Sequence, residues 1–244
     1  MLTIKAANLV YAGKVIFTDL DLELRQGEWL VLLGRSGVGK TSLLRLLAGL
    51  QQAFPQPKTR VSAEISWQGS RRLEHEVAYM AQQDGLLPWA TALDNVLLPA
   101  RLSDNKIDRA RAYALLEQVG LAAYSQHKPR ALSGGMRQRI ALARTLIQDK
   151  PLLLMDEPCS ALDAITRLEM QKLLFARVRA ANKTVVMVTH DPWEALRLAD
   201  RIMVLAGTPA KVVCNMQLPP TEMIRELDGN LLQRYQQLLT ALGV

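Results

Sequence analysis

The chain has 244 residues, of which 49% are hydrophobic, enough apolar side chain for one compact α/β domain with a subdomain. Its formal charge of +7 is compatible with nucleic acid, an anionic membrane surface or an anionic ligand as partner, or reflects solubility alone. Aromatic residues are only 5%, which argues against surfaces on which nucleic-acid bases would stack. The two cysteines, Cys159 and Cys214, exclude a disulfide framework, and no apolar run forms a signal peptide or approaches the roughly 18 residues of a membrane span, so a reduced, cytosolic setting is expected.

The N-terminal segment has the pattern of antiparallel β-structure. Residues 2–24 alternate apolar and polar side chains in places and contain a Gly-Lys turn, and residues 61–69 have a similar pattern. Between them, residues 28–34 (EWLVLLG) form a short apolar run that is typical of a buried parallel strand. The sequence therefore predicts antiparallel β-structure beside a parallel sheet.

A glycine-rich loop closes that first apolar run. It fits the pattern G-x-x-x-x-G-K-[ST] without a gap, through Gly34, Arg35, Ser36, Gly37, Val38, Gly39, Lys40 and Thr41. In such a phosphate loop the backbone N–H groups surround phosphate oxygens, Lys40 reaches the β- and γ-phosphates, and Thr41 binds Mg²⁺. A chance glycine turn is the alternative, but the apolar strand before the loop and the apolar helix after it favour phosphate binding.

A second glycine-opened helix lies within residues 91–146, whose periodic Leu, Ala and Val predict an inserted helical subdomain. Ser133, Gly134 and Gly135 precede its basic stretch and leave backbone donors for an anion. A simple serine N-cap is the alternative, although a cap needs no Gly-Gly pair. Because Lys40 already closes the phosphates on one side, the second loop is usable if two copies meet head to tail around two nucleotides.

Two later apolar runs also end in polar chemistry. Residues 151–157 end in Asp156 and Glu157, residues 184–190 end in His190, and the run RIMVLAG extends the same sheet. Because the carboxyl ends of parallel strands share one edge, these groups are predicted to form one site with the phosphate loop. Asp156 is predicted to hold the Mg²⁺ shell and Glu157 to polarise an attacking water. A solvated strand end is the alternative for the carboxylates, and a structural histidine is the alternative for His190.

The phosphate loop, LSGGMRQR, LLLMDEP and VTHD, in this order and spacing, resemble the ATP-binding cassette ATPases, the nucleotide-binding subunits of ABC transporters, over about residues 2–205. The resemblance implies ATP and Mg²⁺ as cofactors and an α/β phosphate-loop NTPase core with a parallel sheet, an antiparallel β subdomain and an inserted helical subdomain. We expect one domain, with its core at about residues 1–90 and 147–210, the helical subdomain at about 91–146, and a short C-terminal extension at 211–244.

The resemblance also implies which side chains act in hydrolysis. Glu157 is the general base, and His190 contacts the γ-phosphate or orients the water. Gln82 contacts Mg²⁺ and the attacking water and senses the permease, with Gln83 as the alternative if the register is shifted by one.

Nucleotide binding and dimer formation are implied for three further residues. Tyr11 stacks on adenine, with a core or strand tyrosine as the alternative, and Ser42 continues the phosphate loop. Asp163, the last residue of the motif SALD, bridges the dimer interface.

The segments LLPWATALDNV and DPWEALRLADRIMVL resemble the ATPases of importers for nitrate, aliphatic sulfonates, taurine and thiamine-precursor pyrimidines. That resemblance implies a homodimer bound to a transmembrane permease and, through it, to a solute-binding protein, with the ATPase peripheral on the cytoplasmic face of the inner membrane. Nucleic acid is not expected as a partner, and the stretch after Gly207 is too short for the family's larger regulatory domain.

Two other functions stay open at the level of sequence. One is a non-transport ABC ATPase acting in DNA repair, translation or cluster assembly, which has the basic charge as its support. The other is a monomeric phosphate-loop kinase, which the LSGGMRQR and SALD motifs disfavour.

Overall fold

The computed structural model describes residues 1–50, 59–102, 108–226 and 228–243. The strands are β1 (Leu2–Tyr11), β2 (Lys14–Leu24), β3 (Trp29–Gly34), β4 (Arg60–Trp67), β5 (Val77–Met80), β6 (Leu152–Asp156), β7 (Thr184–Val188), β8 (Arg201–Ala206) and β9 (Lys211–Gln217). The α-helices are α1 (Lys40–Leu47), α2 (Leu73–Glu76), α3 (Ala92–Arg101), α4 (Arg109–Gln118), α5 (Gly134–Leu146), α6 (Ala164–Ala180), α7 (Pro192–Leu198) and α8 (Gly229–Leu242). Two short 3-10 helices span Ala122–Tyr124 and Pro129–Ala131.

A six-stranded sheet in the order β5-β6-β7-β3-β8-β9 forms the centre of the fold. Strands β5, β6, β7, β3 and β8 are mutually parallel, and β9 runs antiparallel to β8. The order puts β6, β7 and β3 side by side, so the carboxyl ends of these three strands lie at one edge. The prediction of a parallel sheet is confirmed.

The central strands are apolar throughout because both faces of the sheet are covered. Trp29 and Val31 of β3 point into a core formed with the helices α3 to α8, where Trp29 stacks on Phe175 with ring centroids 5.9 Å apart. Leu30 and Leu32 point to the other face, into a core formed with α1 and strands β1 and β2. This double burial explains the unbroken apolar runs of the sequence.

The antiparallel sheet has the order β2-β1-β4, as the N-terminal pattern predicts. Ala12 and Gly13 connect β1 to β2 with φ values of 49° and 83°, which suit a tight two-residue hairpin. Tyr11 is the last residue of β1 and pairs with Lys14 across this turn.

The region predicted to be helical contains α3, α4 and α5, and within the described part of residues 91–146 the structure has no strand. Helix α3 packs against both α4 and α5. Residues 103–107 of this region lie outside the described ranges.

Strand β9 lies within residues 211–244, the expected C-terminal extension, and it belongs to the core sheet as the antiparallel neighbour of β8. Helix α8 packs against α7, where Trp193 and Tyr235 stack with ring centroids 4.2 Å apart. Its end approaches the phosphate loop, where Arg35 Nη2 donates to the Gly243 carbonyl oxygen at 2.9 Å. Among the helices of the described residues, none combines the length and apolarity needed to cross a bilayer.

Candidate active site

The phosphate loop, residues 34–41, joins β3 to α1, and close approaches require two of its glycines. A Cβ on Gly34 would lie 2.5 Å from the Leu205 carbonyl oxygen, and a Cβ on Gly39 would lie 2.4 Å from Ile16 Cγ2. Gly39 also has a φ of 114°, which side chains rarely adopt, and it occupies the N-cap position of α1 without a capping side chain. The first backbone N–H groups of α1 are therefore available to an anion.

Lys40, the first residue of α1, lies inside the loop and is only 7% exposed. Its Nζ donates to the carbonyl oxygens of Gly34 at 2.6 Å and Arg35 at 3.0 Å. Burial lowers the pKa of Lys40, and the nearby carboxylates of Glu157 and Asp156 act in the opposite direction. The ammonium group is thus held by the loop and lies within electrostatic reach of both strand-end carboxylates.

The other residues of this segment differ in exposure. The exposed ones are Arg35, Ser36 and Gly37, and the half-buried ones are Val38, Thr41 and Ser42. Because α1 begins at Lys40, Thr41 and Ser42 belong to its first turn, directly after the loop.

Asp156 ends β6 and is 1% exposed, next to the loop, where the Thr41 side chain hydrogen-bonds to its carboxylate. Burial raises the pKa of Asp156, the Thr41 hydrogen bond lowers it, and the charge of Glu157 raises it further. Within the described residues Asp156 Oδ2 has no hydrogen-bond partner. A buried carboxylate oxygen left in this way, beside a hydroxyl group, fits a divalent cation.

The cation ligands would be few on the protein side. The described part of the chain contains no group of three or more His, Cys, Asp or Glu side chains that could hold a metal ion. Mg²⁺ commonly keeps one or two protein ligands and takes the rest from substrate phosphates and water. Asp156 and Thr41 match that arrangement, and a cation there would depend on a bound phosphate.

Glu157 directly follows β6, and its carboxylate contacts two side chains that the sequence predicts to act with it. Gln82 Nε2 donates to its Oε2 at 3.3 Å, and His190 Nδ1 lies 3.2 Å from its Oε1. Glu157 has a φ of 51°, a left-handed conformation that costs a non-glycine residue roughly 1–3 kcal/mol, and its N–H donates to the Val188 carbonyl oxygen at 2.9 Å. The Glu157 carboxylate thus lies between an amide and an imidazole, and the backbone that carries it is strained and hydrogen-bonded to the sheet.

Two neighbouring glutamines after β5, Gln82 and Gln83, are both exposed. Gln82 contacts Glu157, and in the described part of the chain no hydrogen bond joins Gln83 to that carboxylate, which favours Gln82 as the glutamine of the site. The next residues are fastened to α5, because Arg137 Nε donates to Asp84 Oδ2 at 2.9 Å and Arg144 Nη2 donates to the Asp84 carbonyl oxygen at 2.5 Å.

The signature segment, residues 132–139, combines a cap with an open end. Ser133 Oγ accepts a hydrogen bond from the Met136 N–H at 3.2 Å, so the N-cap alternative describes a real contact. A Cβ on Gly135 would lie 3.2 Å from the Ala161 carbonyl oxygen, which gives this glycine a packing role. Gly134 is exposed, and the nearest atom to a Cβ there is 3.9 Å away. The exposed start of α5 is therefore formed by Ser133 and Gly134.

Tyr11 and Asp163 lie outside the strand-end cluster. In the described residues neither side chain hydrogen-bonds to Glu157 or its neighbours, and Asp163 instead caps α6, where its Oδ1 accepts from the Thr166 N–H at 3.1 Å. Hydrogen bonds from Thr166 lower the pKa of Asp163. Tyr11 pairs across the hairpin with Lys14, and Lys14 lines a cavity of about 570 Å³ together with phosphate-loop residues.

Gln138 is a buried amide that sequence reasoning missed. It is 5% exposed, its Nε2 donates to the Glu157 carbonyl oxygen at 2.9 Å, and its Oε1 accepts from the Ala161 N–H at 2.8 Å. Gln138 lies three and four positions before the buried residues Ala141 and Leu142, on the apolar face of α5. A polar residue on such a face needs buried partners, and that spacing was the available signal.

Asn95 is a second missed amide, fully buried in α3. Its Oδ1 accepts from the Leu87 N–H at 2.7 Å, and its Nδ2 donates to the carbonyl oxygens of Leu87, Ala90 and Thr91. It therefore fixes the turn that presents Trp89, whose side chain is 70% exposed.

Comparison with known proteins gives a consistent family. The family model described as ABC transporter matches residues 17–160. A Haemophilus influenzae protein, named an uncharacterized ABC transporter ATP-binding protein, is 44% identical over 250 residues, which cover 100% of this chain and 99% of that protein. The aliphatic sulfonates import ATP-binding protein SsuB of Delftia acidovorans is 45% identical over 234 residues, covering 96% of this chain and 90% of that protein.

A solved structure is similar over most of the chain. The ATP-binding cassette MJ0796, in a dimeric post-hydrolysis state bound to ADP and Pi, has a TM-score of 0.78 and 28% identity, covering 91% of this chain and 100% of that chain. With the family model covering most of the nucleotide-site motifs and relatives matched nearly end to end, the chain belongs to the ABC transporter ATP-binding domains, which are ATPases coupled to transport.

Proposed function

We propose that this chain powers an importer for a small solute, and that two copies hydrolyse ATP head to tail while docked on a permease at the cytoplasmic face of the cell membrane. The observation that carries the proposal is the contact of Gln82 and His190 with the two carboxylate oxygens of Glu157, beside the phosphate loop. The 45% identity to an aliphatic sulfonates import protein makes sulfonates the first solute class to test, ahead of nitrate, taurine and pyrimidines.

ATP binding follows from the loop and its surroundings. The backbone N–H groups of the phosphate loop and α1 would bind the phosphates, with Lys40 at the β- and γ-phosphates and Tyr11 stacked on adenine. Asp156, Thr41 and Gln82 would hold Mg²⁺, which when bound offsets the negative charge of the phosphate oxygens. The buried unpartnered Asp156 Oδ2 supports this assignment.

Glu157 would accept the proton of the attacking water. Its two oxygens are already oriented by Gln82 and by His190, so the base is held in place before substrate binds. His190 is 63% exposed in its side chain, which leaves the imidazole accessible to the γ-phosphate.

A head-to-tail pair would complete each site. Ser133 and Gly134 offer an open helix end to the nucleotide of the second copy, and Asp163 lies at the start of α6, where it would approach that copy. The related MJ0796 cassette is itself dimeric with ADP and Pi, which supports the arrangement.

Permease docking is proposed at the turn held by Asn95. Trp89 exposes 70% of its side chain there, and the segment between it and Gln82 is fastened to α5 through Arg137 and Arg144. A large exposed aromatic residue on a rigid turn is a suitable anchor for a partner helix. The permease would act through its own contact with a solute-binding protein.

The test is a Glu157→Gln variant, which keeps the size of the side chain and removes the base. With Mg-ATP it should accumulate as an ATP-bound dimer, measured by light scattering after size exclusion, and should copurify with a polytopic permease from membranes of the native host. Glu169→Gln, an exposed change on α6, is the matched control. A Glu157→Gln variant that stays monomeric with Mg-ATP would contradict the head-to-tail pair, and copurification of nucleic acid or only non-membrane partners would contradict the importer.

A further inference from the structure

Gln138 uses its whole side-chain amide on the turn that follows β6. Nε2 donates to the Glu157 carbonyl oxygen at 2.9 Å and to Ser160 Oγ at 3.2 Å, and Oε1 accepts from the Ala161 N–H at 2.8 Å. Because a backbone N–H can only donate, the Ala161 contact identifies the oxygen of the amide and leaves the nitrogen for Glu157.

The backbone that Gln138 binds is the strained part of the site. Glu157 has a φ of 51°, and such a conformation persists only where several contacts oppose its relaxation. Its carbonyl oxygen also accepts from the N–H and Oγ of Ser160, at 3.3 and 3.1 Å, but these donors belong to the same turn and move with it. The N–H of Glu157 is held by Val188 in the sheet, so Gln138 provides the link to a helix.

We infer that Gln138 is a positioning residue for Glu157: it holds the strained backbone that aims the base, and it ties that backbone to the signature helix α5. The inference rests on the proposed role of Glu157 as the base. Gln138 lies five positions after Ser133, about 7 Å along the helix axis. A nucleotide bound to the second copy would contact the start of α5 in the first copy. It would therefore touch the same helix whose Gln138 orients Glu157 of that first copy.

The experiment compares Gln138→Met with the unmodified chain. Methionine keeps the length and burial of the side chain and removes both donors and the acceptor. We expect kcat for ATP hydrolysis to fall about 10- to 100-fold, the cost of a misplaced reacting group, while KM for ATP and the Kd of bound nucleotide change less than about twofold. Gln148→Met is the matched control, because the Gln148 amide lies just past the end of α5 and donates only to the Arg144 carbonyl oxygen among the contacts of the described residues.

A double variant tests whether Gln138 acts through Glu157. In a Glu157→Gln background the residual hydrolysis, followed over hours by phosphate release, should not fall further when Gln138→Met is added. A further drop of the same size would overturn the inference, and so would a kcat for Gln138→Met within about twofold of the unmodified chain. An equal loss of kcat and nucleotide affinity would also overturn it, because that is the result of a general packing defect.

Gln138→Glu provides a second route if the methionine variant does not fold. The glutamate keeps an acceptor for the Ala161 N–H and replaces the donor to Glu157 by a repelling oxygen, so the same selective loss of kcat is expected. The proposed function itself fails in a different way: Glu157→Gln would then leave hydrolysis at its original rate, whatever happens at Gln138.

Discussion

The phosphate loop and the signature segment both begin a helix with glycine, yet they are built in opposite ways. At the first, Gly39 supplies no cap and Lys40 is buried within the loop, so a cation and open N–H groups are already together. At the second, Ser133 caps the helix, Gly134 is exposed, and Arg137 of the first turn is paired with Asp84. The first therefore has, within one chain, the groups proposed to bind an anion, and the second is an open helix end whose nearest arginine is already paired.

The difference shows why a glycine motif alone does not define a phosphate site. Gly39 is needed for its conformation, Gly135 for packing against Ala161, and Gly134 meets no atom closer than 3.9 Å. An open, uncharged helix end contributes little binding energy by itself. It suits a phosphate whose charge is offset elsewhere, as it would be by Lys40 of a second copy.

Lys40→Ala removes the cation of the phosphate loop, and we expect it to have the largest effect of the variants described. We expect ATP affinity to fall more than about 100-fold, close to 3 kcal/mol, because charge-assisted hydrogen bonds to phosphate are lost. Isothermal titration with ATP measures the change. Lys5→Ala, an exposed change on β1, should leave the affinity as it is, and unaltered binding by Lys40→Ala would move the nucleotide to another site.

Gly39→Ala and Gly134→Ala sharpen the comparison, because both add one methyl group at a helix start. At Gly39 the methyl group meets Ile16 at 2.4 Å and a φ of 114°, so unfolding free energy should fall by about 2 kcal/mol. At Gly134 thermal stability should stay the same, while Mg-ATP-dependent dimerisation and hydrolysis weaken. Denaturant titration and light scattering measure the two results. Undisturbed dimerisation and hydrolysis in Gly134→Ala would remove the open helix end from the mechanism.

Asp156→Asn is expected to change stability less than Gly39→Ala does, and it acts in the stabilising direction. Burial raises the pKa of Asp156, so the folded chain binds this proton more tightly than the unfolded chain does. Its contribution to stability is therefore greatest below the ordinary carboxyl pKa and declines as pH rises through the raised one. Asparagine removes the neutral-pH penalty, and we expect ligand-free stability at pH 7 to rise by about 1 kcal/mol.

The pH dependence gives that prediction its control. Below about pH 3, well under the ordinary carboxyl pKa, the aspartic acid is protonated in both states, so the stability difference between Asp156→Asn and the unmodified chain should nearly vanish. Hydrolysis of Mg-ATP should be lost at every pH. Melting curves at about pH 3 and pH 7 measure the effect, and a variant that is less stable at pH 7 would mean that the carboxylate is favourably paired.

Much of the site is predictable because a buried parallel strand is recognisable in a sequence as a short apolar run that ends abruptly at polar residues. The apolar runs of β3, β6 and β7 stop where the backbone leaves the core, so Asp156, Glu157 and His190 are recognisable before any contact is known. Strands β5 and β9 leave a weaker mark. The four residues of β5 are too few for a periodic pattern, and β9 is an edge strand with mostly exposed side chains.

The partners of the two buried amides were beyond prediction for a different reason. Burial of Gln138 and Asn95 follows from helix spacing, but their partners depend on how separate elements meet. Gln138 binds residues 19 to 23 positions away, on a turn whose location against α5 is a property of the packed fold. Helix periodicity describes one helix at a time and carries no information about that meeting.

The end of α8 has a practical consequence for anyone who handles this protein. Gly243 is hydrogen-bonded to Arg35 of the phosphate loop, and the cavity of about 570 Å³ between them is lined by both segments. An affinity tag or fluorescent protein fused after α8 would start beside the phosphate loop, and we expect it to lower activity by crowding alone. Leu2 begins β1 at the end opposite Tyr11, roughly 30 Å away at the usual rise per strand residue, so reporters belong at the N-terminus.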